Sequence, residues 1–246
     1  MTREQVVPGR PFRWQIAARI AVALLVWSFI PAGCWSADAA GPAPKVKVAT
    51  TIFPLYDFAR HIAGDAADVV LLLPPGASPH TFEPTPAKVR NLAGSDVLFL
   101  IGHGLDDWAA RIALSAGVTR AVTVDAGVVL RDAPGDGSAG AARRARLVDP
   151  HYWLSIGNAK AIAHTVEAEI ERIAPNRKNE LRQRLDIYLA GLDAADADIR
   201  RLLANLPNRR IATFHDAFGY FAAAYGLEVV ATFEPFPGKE PGPRFV

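Results

Sequence analysis

Apolar residues along this chain follow two rhythms, and the way they alternate sets the fold class. Residues 45–51 (KVKVATT) alternate charged and apolar positions ahead of Pro54, which predicts a strand feeding a helix over 55–63. Residues 68–73 and 97–101 are continuous runs of β-branched residues, Leu and Phe, closed by Pro74-Pro75-Gly76 and by Gly102. Such runs suit strands buried on both faces of a parallel sheet. Pro86 stands at the first turn of a helix reaching Leu92, and 122–124 supply another short strand. Strands alternating with helices in this way predict an α/β fold with parallel sheets flanked by helices.

The most regular segment is 176–206, where Leu181, Leu185, Tyr188, Leu192, Ala195, Ile199, Leu202 and Leu206 advance by steps of four and three. That is one apolar helix face. At about 1.5 Å per residue the helix would run ~40 Å, enough to join two lobes; Gly191 weakens it by about 1 kcal/mol without breaking it. After Pro207 the rhythm restarts with a strand at 210–214, a helix at 217–225 and a strand at 227–232. The expected organisation is a leader at 1–40, an N-terminal α/β lobe at 44–175, a rigid bridging helix at 176–206, and the start of a C-terminal α/β lobe at 207–246. So few strands leave that second lobe short of core, so the sequence reads as stopping before its domain does. Residues 133–146 (APGDGSAGAARRAR) lack any apolar period and read as an exposed loop.

Composition changes the picture at the N-terminus. Arg3, Arg10, Arg13 and Arg19 lead into the apolar run 20–30 and then into small residues, the order of a secretory signal peptide. The run is too short to span a bilayer, which needs about 20 apolar residues. Two processing chemistries compete: Ala37-Asp38-Ala39 fits ordinary signal peptidase, and Pro31-Ala32-Gly33-Cys34 approximates a lipoprotein box with Pro where Leu is usual. A soluble periplasmic protein is expected, with lipid anchoring at Cys34 as the alternative. Cys34 is the single cysteine, so a metal in the body of the protein must be held by nitrogen and oxygen. Lys and Arg total 27 against 25 Asp and Glu, with no basic cluster interleaved with aromatics, and nucleic-acid binding is set aside.

Three histidines carry the candidate chemistry. His80 (SPHTFEPTP), His151 (DPHYWLS) and His215 (TFHDAFGY) each follow an apolar run, as if three strand ends offered imidazoles to one cleft. Neutral imidazole suits Zn²⁺. Any one of them could equally cap a helix or bond within a core. Asp149, Glu83 and Asp216 are close enough in sequence to orient a ligand ring, although Asp149 also fits an Asx turn and Asp216 a helix N-cap. His103 in GHGLDDW is a further strand-end candidate whose alternative is a polar loop residue bonded to backbone. His61 and His164 sit in helical text and read as structural, and Tyr152 and Trp153 as packing.

Taken in order, TTIFPLYDFARHIAGD, LLPPGASPHTFEPTPAKV, SDVLFLIGHGLDDW, DPHYWLS and FHDAFGYFAAAYGLE resemble the zinc and manganese solute-binding proteins of bacterial ABC importers, the ZnuA/TroA type. The resemblance runs from about Val46 to Pro241. It implies two α/β lobes joined by a rigid helix with the ion between them, and puts His80, His151 and His215 on the first three ligand positions. An imidazole at His215, where manganese-selective relatives carry a carboxylate, points to Zn²⁺ ahead of Mn²⁺. The family's fourth ligand is a carboxylate nearer the C-terminus, beyond Val246 here, and the loop between the first two ligands is basic instead of His-rich. The expected function is a periplasmic, monomeric, non-catalytic metal carrier serving an ABC importer permease. The alternatives are an exported zinc hydrolase with Glu83 as base, or a surface adhesin.

Overall fold

The computed structural model describes residues 44–133 and 147–234; the leader with Cys34, most of the 133–146 loop and residues beyond 234 lie outside them. Four parallel strands, β1 (Val46–Thr50), β2 (Ala67–Leu71), β3 (Val97–Leu100) and β4 (Ala121–Thr123), form one sheet in the order β2-β1-β3-β4. Val48 of β1 faces Val69 on one side and Val97 on the other, and Phe99 of β3 faces Val122.

Both faces of this sheet are covered, as the continuous apolar runs require. Val46, Val48, Val97, Phe99 and Ile101 point into one core, while Ala49, Leu98 and Leu100 point into a second on the opposite face. The period of two along a strand sorts them. The first core is roofed by α1 (Phe53–Ala63), α4 (Ile156–Ile173) and α5 (Lys178–Leu203), the second by α2 (Pro86–Leu92) and α3 (Asp107–Ser115). On α1 the buried residues Leu55, Phe58, Ala59, Ile62 and Ala63 recur at helical spacing, and Pro54 occupies the first turn, where its missing N–H costs nothing. Each fully buried Leu or Ile of this kind contributes roughly 1.5–3 kcal/mol.

The helix α5 is 26 residues long, about 39 Å. Leu181 and Leu185 near its start are buried against the first core, Tyr188, Leu189 and Leu192 are partly covered, and Leu202 is exposed. Its last turn is tied by Arg209, whose guanidinium donates to the Leu203 and Tyr225 carbonyls. A second parallel pair follows, β5 (Arg210–His215) and β6 (Glu228–Glu234), linked by α6 (Gly219–Tyr225). Gly226 ends α6 at φ 67°, a left-handed conformation that favours glycine. The chain is therefore α/β with two parallel sheets and one long helix between them in sequence. Helix α3 was not anticipated, since Asp106-Asp107 mask its apolar onset.

In the larger sheet the chain leaves β1 toward β2 and returns to β3 on the other side of β1. The strand order reverses between β1 and β3, and crevices outside the carboxyl ends of such strands are the usual ligand positions of open α/β sheets. Asp106 fixes that point. Its buried carboxylate accepts hydrogen bonds from Ile101 N (2.9 Å) and Gly102 N (2.7 Å), which follow β3, and from the Thr51 hydroxyl, which follows β1. Tyr152, fully buried, adds a bond from its hydroxyl to the Ile101 carbonyl (2.9 Å) and so hangs the segment carrying His151 over the same edge.

Candidate metal centre

His80 lies in the loop between β2 and α2, which is held from outside by the Trp108 indole N–H on the Pro79 carbonyl (3.3 Å). His151 precedes a single 3₁₀ turn, Tyr152–Leu154, and is 6% exposed. His215 is the last residue of β5. These residues, 71 and 64 positions apart, meet: one ligand atom from each lies within 4.8 Å of the others. Their ring centroids are 5.1, 5.3 and 5.4 Å apart, a nearly equilateral triangle.

Asp149 determines which nitrogen His151 presents. Its Oδ1 accepts both the His151 backbone N–H (3.0 Å) and the ring Nδ1–H (2.8 Å), so the Asx turn and the orienting carboxylate are one interaction. A carboxylate only accepts, so in the neutral ring Nδ1 carries the proton and Nε2 presents its lone pair. That Nε2 stands 3.3 Å from Nε2 of His215. Two nitrogens each about 2.0–2.1 Å from a tetrahedral Zn²⁺ are about 3.3–3.4 Å apart, a length this spacing matches.

The electrostatics favour neutral rings. Burial, followed by the adjacent His151 and His215, pushes His80 down to about 4, against a smaller upward pull from Asp149. Burial and His151 lower His215 as well, opposed by Glu234 and Asp149. A site that disfavours the imidazolium forms of His80 and His215 leaves their lone pairs for a cation.

The rings open onto a cleft of about 320 Å³ walled by Ser78, Pro79, Trp153, Ala217 and Glu234. Glu234 escaped the sequence reading. It pairs in register with His215 across β5 and β6, which brings its carboxylate beside that imidazole. Two further residues were missed: Asp106, and Tyr220, whose hydroxyl donates to the Asp149 carbonyl (2.9 Å) and accepts from Arg131 N (2.9 Å). The alternation through β6 could have exposed Glu234; nothing local distinguishes Tyr220 from an ordinary helix core residue.

The other candidates stand apart. His103, at φ 54°, binds the Asp125 carboxylate (2.9 Å), a side-chain partner where backbone was expected. Glu83 is exposed beside His80, outside the three-histidine group. Asp216 is no N-cap, because α6 starts after Phe218; burial and the nearby Asp149 raise its carboxyl. His61 bonds the Asp57 carbonyl within α1, and His164 is exposed on α4.

An α/β protein with three convergent imidazoles beside a strand-order reversal carries a donor set that could hold a metal ion. Comparison with known proteins specifies which. The family described as "Zinc-uptake complex component A periplasmic" matches residues 48–246. The chain is 31% identical to the high-affinity zinc uptake system protein ZnuA of Bacillus subtilis over 212 residues, 84% of this chain and 66% of that one. It is 28% identical to the zinc-binding lipoprotein AdcA of Streptococcus pneumoniae, over 80% of this chain and 40% of AdcA. Among solved structures it resembles the solute-binding protein FpvC of Pseudomonas aeruginosa in complex with Mn²⁺, with TM-score 0.72 and 32% identity, over 82% of this chain and 73% of that one. The chain belongs to the ZnuA family, and spans just under two thirds of the length of the first of these relatives and two fifths of the second.

Proposed function

We propose that this protein captures a divalent metal ion, zinc ahead of manganese, between His80, His151 and His215, and delivers it to an ABC-type importer in the membrane. The observation that carries the reading is the 3.3 Å separation of the His151 and His215 Nε2 atoms, with His80 completing the triangle. An all-nitrogen set suits Zn²⁺ better than the harder Mn²⁺, which prefers oxygen. The relatives named for zinc uptake and zinc binding support the same cargo.

Export of the chain through a leader at 1–40, to act in the periplasm, is part of this proposal, as is the division into a lobe at 44–175, a bridging helix and a second lobe from 207. A periplasmic family description and a lipoprotein relative support a site outside the cytoplasmic membrane, and no helix among the described residues is long and apolar enough to cross one. The role is carriage without catalysis. Glu83, the base a hydrolase would need, is exposed and outside the ligand group.

Calorimetric titration at pH 7.5 tests the proposal. One zinc per chain, displaced poorly by Mn²⁺, is expected. Binding of neither ion, or preference for Mn²⁺, would overturn the reading of the cargo.

A further inference from the structure

We infer that Tyr220 is a positioning residue for the metal centre: through its hydroxyl, helix α6 holds the segment that aims His151, and thereby couples the smaller sheet to the ligand set. The inference rests on the function proposed above and adds a residue that touches no ion.

The hydroxyl sits in a closed ring of three hydrogen bonds. Arg131 N donates to it (2.9 Å), it donates to the Asp149 carbonyl (2.9 Å), and Asp149 N donates to the Arg131 carbonyl (2.9 Å). The two strand-like segments on either side of the 133–146 loop are thus clamped by a side chain 71 residues further on, itself 3% exposed. Asp149 is the residue whose Oδ1 orients His151. A shift of its backbone would therefore swing the carboxylate that fixes the ring's tautomer and direction, and groups that orient metal-bound imidazoles typically govern affinity in this way.

The neighbouring residue shows how closely the elements are fitted. A Cβ on Gly219 would lie 3.2 Å from Asp149 Oδ2, tighter than ordinary contact, so glycine lets the start of α6 approach this carboxylate. His215 enters from β5, the strand that precedes α6. The same short stretch therefore supplies one ligand directly and holds a second indirectly. Coupling of this kind is reciprocal: if the docked α6 favours the ion, the ion must favour the docked α6.

The test compares Tyr220→Phe with Tyr225→Phe in the full chain. Tyr225 lies on the same helix and is also buried, but its hydroxyl bonds Asp196 (2.8 Å), away from the histidines. Tyr220→Phe is expected to bind one zinc with affinity about 10–100-fold weaker, and Tyr225→Phe to stay within about twofold of wild type. Long-range ¹H–¹⁵N correlation should show the protonated Nδ1 of His151 giving way to a tautomer mixture in Tyr220→Phe alone. Hydrogen exchange on the wild type gives a variant-free arm: the Arg131 amide should exchange more slowly with zinc than without. Equal affinities in the two variants, or an Arg131 amide indifferent to zinc, would overturn the inference while wild-type zinc binding left the proposed function standing. Absence of zinc binding by the wild type would overturn both.

Discussion

The Nε2 atoms of His151 and His215 face each other at 3.3 Å, although one ring hangs from the edge of the four-stranded sheet and the other ends the first strand of the two-stranded one. Because Asp149 holds the proton of His151 on Nδ1, the facing nitrogen is an acceptor. It can be met by an N–H of His215 or by a cation shared between the two. His80, 5.3 Å and 5.4 Å away by ring centroid, supports the cation that the proposed function places there, since a hydrogen-bonded histidine pair has no need of a third imidazole.

Replacing Asp149 with Ala should weaken zinc binding by about 10–100-fold with the stoichiometry unchanged, because His151 loses the acceptor on its Nδ1. Competition titration against a chromophoric chelator measures it. An unaltered dissociation constant would show that the ring is held by packing against Trp153.

The pH dependence has a defined sign. His80 is depressed from its ordinary 6.5 to about 4 and His215 is lowered too, so the unfolded chain binds more protons than the folded one between those values. The stability of the metal-free protein should therefore fall as pH drops from about 6.5 toward 4 and level off below. Protons compete with the metal at His80 only toward the lower end of that window. His80 should therefore stay open to zinc at lower pH than an unperturbed imidazole would. Urea melts and zinc titrations at pH 7.5, 6 and 4.5 check both; metal-free stability unchanged between pH 6 and 4.5 would contradict the depressed His80.

Asp106→Ala leaves the Ile101 and Gly102 amides and the Thr51 hydroxyl without their acceptor in a buried position. A loss of about 2–4 kcal/mol is expected, read as a lower urea midpoint at constant slope. Loss below about 0.5 kcal/mol would mean that water or a neighbouring group takes over those donors.

How much of this was legible in the sequence follows from how local each signal is. Strand β3 announces itself because burial on both faces removes polar residues from 97–101, and β1 because Lys47 alternates with the buried Val46 and Val48. The helix α5 was plain from its four-and-three spacing, although Leu202 near its end is turned to solvent, so the apolar face is longer than the surface it packs on. The three histidines were legible because each ends an apolar run. Asp149 was ambiguous between turn and orienting group because one oxygen does both. Tyr220, Glu234 and Asp106 act across 71, 19 and 55 residues of chain, on Asp149, His215 and Thr51, and no local pattern encodes such partners.

The most direct test of the central claim is X-ray absorption at the zinc edge of the one-to-one complex. The account predicts nitrogen or oxygen scatterers at about 2.0–2.1 Å, with the outer-shell pattern of three imidazoles that disappears when His80, His151 and His215 are replaced together by Ala. A spectrum with fewer than two imidazoles, with a sulfur shell at about 2.3 Å, or unchanged in the triple variant would contradict it.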